Sequence, residues 1–272
     1  MDSLDSDYNK ALQQFNQVVC AMTALSQGSA GIQSATPRHY WASVLFTKLA
    51  GCAISVLRLL PRNQISISKI EFWDFTPVAS LARDLFECLI AYFYLGAEDI
   101  DTEEWECRKD IFNIHDCFRR IRLLTCVNVS DIDFDGFKEQ LEMLRERLIN
   151  NEYFKALPEK TRSKCLKAEK LFLLSQDEIV SRMGFEVDHL RGLYILWSSH
   201  VHSFPMGFYR TGEDKRGTGL ENKADKGYIT MTIDVCAELI QKASKDHLCM
   251  FPGSDRKLSH DSKHALFGAP QN

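Results

Sequence analysis

"TPVASLARDLFECLIAYFYLG", residues 76–96, decides the fold class of this chain. Thr76 suits the N-cap of a helix, Pro77 its first position and Gly96 its end. Between them Val78, Leu81, Leu85, Phe86, Leu89, Ile90 and Phe93 point in nearly all directions around a helix, the mark of a buried one. Arg83 and Glu87 stand four residues apart and so share a face. Charges on a buried helix need partners. Either they tie helices together as a structural ion pair, or they line a polar cleft.

The segments on either side read the same way. Apolar spacing predicts helices over 5–27, 38–60, 102–125 and 134–150, and a Ser175 to Glu178 capping box with a Gly184 stop marks another. "EVDHLRGLYILWSSHVHS", 186–203, is the next, ended by Phe204-Pro205, and a last helix is expected over 231–246. Residues 150–174 read as a turn region and 211–226 as a polar loop with four basic and four acidic residues. Strand signals are confined to a brief alternation at 63–70 and to "GYITMTI", which can equally lead into the last helix. The expected fold is all-α: one bundle of seven or eight helices over 1–250, with a loosely ordered tail over 251–272.

Composition excludes several classes. With 33 basic and 37 acidic residues the formal charge is −4, so any nucleic-acid contact has to come from a local patch. The nine cysteines form no C-x-x-C pair and sit mostly in apolar helical runs, which fits reduced core thiols and a cytoplasmic protein. The acidic "MDSLDSDYNK" start lacks the pattern of a secretory signal, and Lys48 and Arg58 interrupt the longest apolar stretch, so no membrane span is expected. No G-x-S-x-G elbow, P-loop or dinucleotide fingerprint occurs. No cofactor is called for.

Three constellations remain as chemistry. Ser198, Ser199, His200, His202 and Ser203 crowd a helix C-terminus, where a histidine can exchange protons. His200 and His202 point about 200° apart on a helix, which makes them poor joint metal ligands. The spacing R-x6-H, a ribonuclease signature, occurs at Arg108–His115 and Arg182–His189, but with 16 arginines and 8 histidines about 1.4 matches arise by chance over three allowed spacings. Arg119, Arg120 and Arg122, with Lys160, Arg162, Lys164 and Lys167, can form either a phosphate-binding strip or ordinary solvated helix faces.

The pairing of "WDFTPVASLARDLFECLIAYFYL" with "YILWSSHVHS" resembles an uncharacterised, mostly bacterial helical family similar to the HEPN superfamily of nucleotide-binding and ribonuclease domains. The resembling stretch runs over about 38–205. It implies a helical bundle in which Arg83, Glu87, Ser199 and His202 share one polar pocket. By that analogy His202 moves a proton, Arg83 stabilises phosphorane charge and Glu87 orients Arg83, without metal, on RNA or a nucleotide, in a homodimer serving antiviral defence. The alternative is a non-catalytic sensing or interaction module in which the same residues are a structural network.

Overall fold

The computed structural model describes residues 3–65, 70–127, 134–209, 211–213 and 215–268. Among them the chain is all-helical, with twelve α-helices where seven or eight were expected. The excess is in short pieces that hydrophobic periodicity cannot register: α6 (Glu152–Ala156), α7 (Glu159–Leu166), α10 (Pro205–Phe208) and α12 (His260–Phe267). The long helices are α1 (Ser3–Gly28), α2 (Pro37–Leu59), α3 (Phe75–Tyr92), α4 (Thr102–Cys126), α5 (Phe134–Asn150), α9 (Val187–Val201) and α11 (Lys223–Met250), with α8 (Gln176–Arg182) between them. The alternation at 63–70 falls partly on residues 66–69, outside the described residues. "GYITMTI" lies wholly in α11, where its apolar side chains Ile229 and Ile233 are buried one turn apart. Among the described residues extended backbone pairs once, with the Trp73 N–H donating to the Gly219 carbonyl at 2.9 Å.

Sequence showed no boundary, yet the chain divides into two compact units, one of residues up to 97 and from 179 onward, the other Glu98–Glu178. In the first, α3 is the hub, packed on α2, α9 and α11, while α1 lies against α2, α11 and α12. Val78, Ala82, Leu85, Phe86 and Leu89 of α3 are buried, as its apolar pattern requires. Its N-cap is Asp74, not Thr76: the carboxylate accepts the Thr76 backbone N–H at 2.9 Å, and the helix begins two residues early. At its other end the ladder widens into a π-turn over Phe93–Ala97, where a Cβ on Gly96 would meet the Ala42 side chain at 2.7 Å. Glycine lets α2 and α3 close there.

The helix α2 is long and apolar enough to cross a membrane by composition, but Phe46, Leu49, Ala53, Val56 and Leu57 are buried inside the unit, as in a core helix. The stretch expected to be a loose tail instead forms a short 3-10 turn at Ser254–Lys257 and then α12, and buries Leu258 and Leu266. Residues 269–272 of that stretch lie outside the described residues.

In the second unit α4 packs on α5, α6 and α7 around Cys107, Ile111, Ile114, Leu144, Leu148 and Phe154. Arg108 is inside this unit with 0% exposure, held by Glu98 Oε2 and Glu104 Oε1 at 2.5 Å each.

Candidate functional site

α9 ends in a way that places one histidine outside the helix. The Phe204 N–H donates to the Ser199 carbonyl at 2.9 Å and the Ser203 N–H to the His200 carbonyl at 3.3 Å, a Schellman cap. Ser203 takes the left-handed position at φ 50°, where glycine is the usual occupant. Pro205 then opens α10 at once, and a Cβ on Gly207 would meet the Ser199 carbonyl oxygen at 2.6 Å, so α10 folds back tightly on the end of α9. His202 stands at this corner, exposed.

Across from it is the Arg83 face of α3. Arg83 Nη1 lies 2.9 Å from His202 Nε2, Arg83 Nε donates to Glu87 Oε1 at 2.8 Å, and Arg83 Nη2 donates to the Tyr194 hydroxyl at 3.2 Å. Tyr194 Oη in turn donates to Glu87 Oε1 at 3.0 Å, and its ring lies 5.2 Å from the guanidinium carbon. Arginine has no acceptor, so His202 presents the Nε2 lone pair to it and carries its proton on Nδ1. Burial works against the Arg83 cation, but Glu87 and Tyr194 outweigh it and the net shift is upward. The guanidinium is a fixed positive charge, 19% exposed beside a carboxylate 48% exposed. Two of its five N–H groups have no acceptor among the described residues.

This chain belongs to DUF5677, a family of unknown function whose model matches residues 39–218. The matched DUF5677 segment contains all four of Arg83, Glu87, Tyr194 and His202, while α1, α11 and α12 lie wholly outside it. Comparison with curated proteins and with solved structures gave no match.

The structure thus brings three of the four expected residues together, Arg83, Glu87 and His202. The fourth, Ser199, is buried, and its hydroxyl donates back to the Ile195 carbonyl at 2.8 Å. One turn of helix separates it from the corner at which the chain leaves α9. Tyr194 was missed, because an aromatic in the apolar run "LYILW" reads as core; the signal available was its place two turns before His202 on the same helix.

His200 also turns inward. It is buried with Nδ1 3.3 Å from Thr76 Oγ1 and its ring edge-on to Phe75, and burial, helped by Arg216, lowers its pKa. With His202 facing Arg83, the two rings cannot share a metal. Among the described residues no three His, Cys, Asp or Glu side chains are grouped so as to hold an ion.

Neither R-x6-H spacing makes a site. Arg108 is entombed between Glu98 and Glu104, and Arg182 and His189 sit exposed on separate helices either side of the Gly184 turn. Of the basic strip, Arg120 is paired with Asp116 at 2.6 Å on an exposed face, and Arg119 Nε donates to His115 at 3.5 Å. Within the expected loop over 211–226, Arg216 is pinned to Asp225 at 3.0 Å, and α11 begins at Lys223. Asp214 of that loop is outside the described residues.

Proposed function

We propose that this chain is a HEPN-like, metal-independent ribonuclease of the cytoplasm, acting in bacterial defence, with Arg83 and His202 as its working pair. The observation that carries the reading is the 2.9 Å contact between Arg83 Nη1 and His202 Nε2 at an exposed corner, from helices 119 residues apart in sequence. A fixed cation beside a neutral imidazole with an available lone pair is the minimum that transesterification of RNA needs.

The resting contact suggests how substrate would switch the pair on. A phosphate oxyanion is a stronger acceptor for guanidinium than a neutral imidazole, since both partners are then charged. On binding it takes over the Arg83 Nη1 donor and releases His202 Nε2. That nitrogen accepts the proton of the ribose 2′-hydroxyl, the 2′-oxygen attacks phosphorus, and the P–O5′ bond breaks to leave a 2′,3′-cyclic phosphate; the departing O5′ takes a proton from water, and the hydroxide so formed is neutralised by the proton held on His202. Arg83 offsets the charge on the phosphorane oxygens, with Glu87 and Tyr194 holding its orientation.

A second reading, a non-catalytic interaction module or homodimer, draws support from the turn beside the site. Phe204, Met206, Phe208 and Tyr209 are all exposed there. Incubation of a labelled mixed RNA pool with wild-type, Arg83→Ala and His202→Ala protein in excess EDTA separates the two. Cleavage by wild type that is lost in variants melting like wild type supports the nuclease. Intact RNA in every lane sinks it and leaves the interaction module.

A further inference from the structure

One face of α7, in the second unit, mixes charge with apolar surface. Glu159, Arg162, Ser163 and Leu166 stand at i, i+3, i+4 and i+7, so they form a single stripe along the helix. With Ile149 at the end of α5, Phe154 of α6 and Lys167 just past α7, they line a cavity of about 320 Å³ that opens to solvent. All of these residues belong to the second unit. Phe154, 2% exposed and part of that unit's core, is the floor, and Ile149, an apolar side chain left 49% exposed, is at the rim.

Arg162 is the anomaly in this lining. Its Nε–H is shut off from water and meets no acceptor, and among the described residues no carboxylate pairs with its guanidinium, although Glu159 is three residues before it. The arginines of α5 are satisfied by contrast. Arg145 pairs with Glu142 at 2.6 Å and donates from Nε to the Leu166 carbonyl at 3.0 Å, and Arg147 is paired with Asp110. A guanidinium N–H without an acceptor costs free energy, which a ligand that brings the acceptor recovers. Rotation about the last bonds of Arg162 turns Nε and one Nη together into the cavity, the edge that takes a carboxylate through two parallel hydrogen bonds.

We propose that this cavity binds a small amphiphilic carboxylate, of the class of medium-chain fatty acids. Arg162 takes the carboxylate oxygens, Ser163 and Lys167 lie on the same wall as further donors, and the chain covers Phe154, Leu166 and Ile149. The lining decides the class. Ligand sites combine an apolar wall with a few polar groups that fix orientation, and about 320 Å³ is near the small end of their range of roughly 300–1,000 Å³, which favours a medium chain over a long one. A wholly apolar ligand leaves Arg162 stranded. A polyphosphate needs more donors than one arginine, one lysine and one serine, and α7 opens with Glu159 behind Pro158, which repels an anion from its N-terminus. Charge agrees, since "EKTRSKCLK", 159–167, holds four basic residues and one acidic, a local positive field that draws an anion to the mouth. The site is in the other unit from Arg83 and His202 and stands independently of the nuclease reading.

Isothermal titration calorimetry of the full-length protein with sodium decanoate, kept below its micelle concentration, tests the proposal. Decanoate should bind one molecule per chain. Decanol and inorganic phosphate should each bind at least about tenfold more weakly, the first lacking the charge and the second the chain. Arg162→Gln should weaken decanoate by about tenfold or more. Ile149→Glu, at an exposed position outside the core, should weaken it at least as much by setting a like charge at the mouth. Thermal melting of both variants checks that they fold; if Arg162→Gln melts lower, Ile149→Glu and the wild-type preference for decanoate over decanol carry the test. No saturable binding by wild type, many molecules bound per chain, or equal affinity for decanoate and decanol overturns the proposal. Phosphate binding as tightly as decanoate overturns it too, since Arg162 then holds anions without regard to a chain.

Discussion

Arg108 and Arg83 each have a glutamate one helical turn away, yet one is sealed in the interior and the other reaches the surface. Arg108 is 0% exposed and spends its charge on Glu98 and Glu104. Arg83 is 19% exposed, and its Nη1 reaches a histidine on another helix. By sequence spacing it was Arg108, with His115 two turns on, that matched a nuclease signature. What separates them is the solvation of the surroundings: a cation whose partners are also buried has no room for a substrate anion.

The sharpest way to break this contrast is to delete both charges. Arg108→Ala strands the carboxylates of Glu98 and Glu104 in the interior and should cost about 3–5 kcal/mol of stability. Arg83→Ala, whose partner Glu87 is half exposed, should cost about 1 kcal/mol or less. Urea unfolding of both variants measures the difference, and equal losses would mean that Arg83 too is frame.

Next in size is function. On the proposed reading His202→Ala should lower RNA cleavage by about 100-fold or more with little change in melting, because the ring is exposed and its neighbours, Arg83 and Phe204, are at the surface as well. A His200→Ala variant should do the reverse, melting lower while any cleavage per folded molecule persists, since His200 packs on Phe75.

The histidines allow the same contrast to be drawn by pH. His247 is buried, stacked on Phe46 at 3.8 Å with Nε2 2.8 Å from Ser29 Oγ, and burial pushes its pKa down to about 3. The unfolded chain protonates this residue below about 6.5 while the folded chain does not. Stability is therefore fully present above pH 6.5 and declines as pH falls toward 3, by about 2 kcal/mol at pH 5 from this group. Melting at pH 7.5 and pH 5 should show the loss in wild type and a smaller one in His247→Phe. An unchanged pH slope in the variant would assign the loss to other groups.

The smallest effect tests the fourth member of the site. Tyr194→Phe removes one hydroxyl between Arg83 and Glu87 and should cost about 0.5–1 kcal/mol, read by chemical denaturation. A much larger loss would make the hydroxyl the tie that holds Arg83 and Glu87 together, whereas a loss seen only in Tyr194→Ala would place the ring's packing on Phe86 at the centre of its role.

These cases show what sequence could carry. The all-helical class, the capping box at Ser175 with Glu178 Oε2, and the shared face of Arg83 and Glu87 depend on spacing within one helix, and the structure has each of them. Ser199 was grouped with His202, although Ser199 lies inside α9 and His202 just past its end, where the helix unwinds. One residue there decides between the interior and solvent, and a Schellman cap with serine in place of glycine gives little warning. The division at 98 and 178 was hidden because both units are built from the same amphipathic helices. The pairing of α3 with the end of α9 is a tertiary contact that no local pattern encodes.

The last helices and the first hold one another: α1 packs against α11 and α12, and a Cβ on Gly28 would meet the Ser254 carbonyl oxygen at 2.0 Å. On a ribosome this inverts the order of completion. At about 5–20 residues per second, α1 emerges some 10–45 s before α11 exists to cover it. For that interval Phe15, Val18, Val19, Met22 and Leu25, all buried in the finished protein, lack that cover. A helix made some 200 residues before its cover is thus among the last to be sheltered, which makes the nascent chain, and not the mature one, the form most exposed to chaperones.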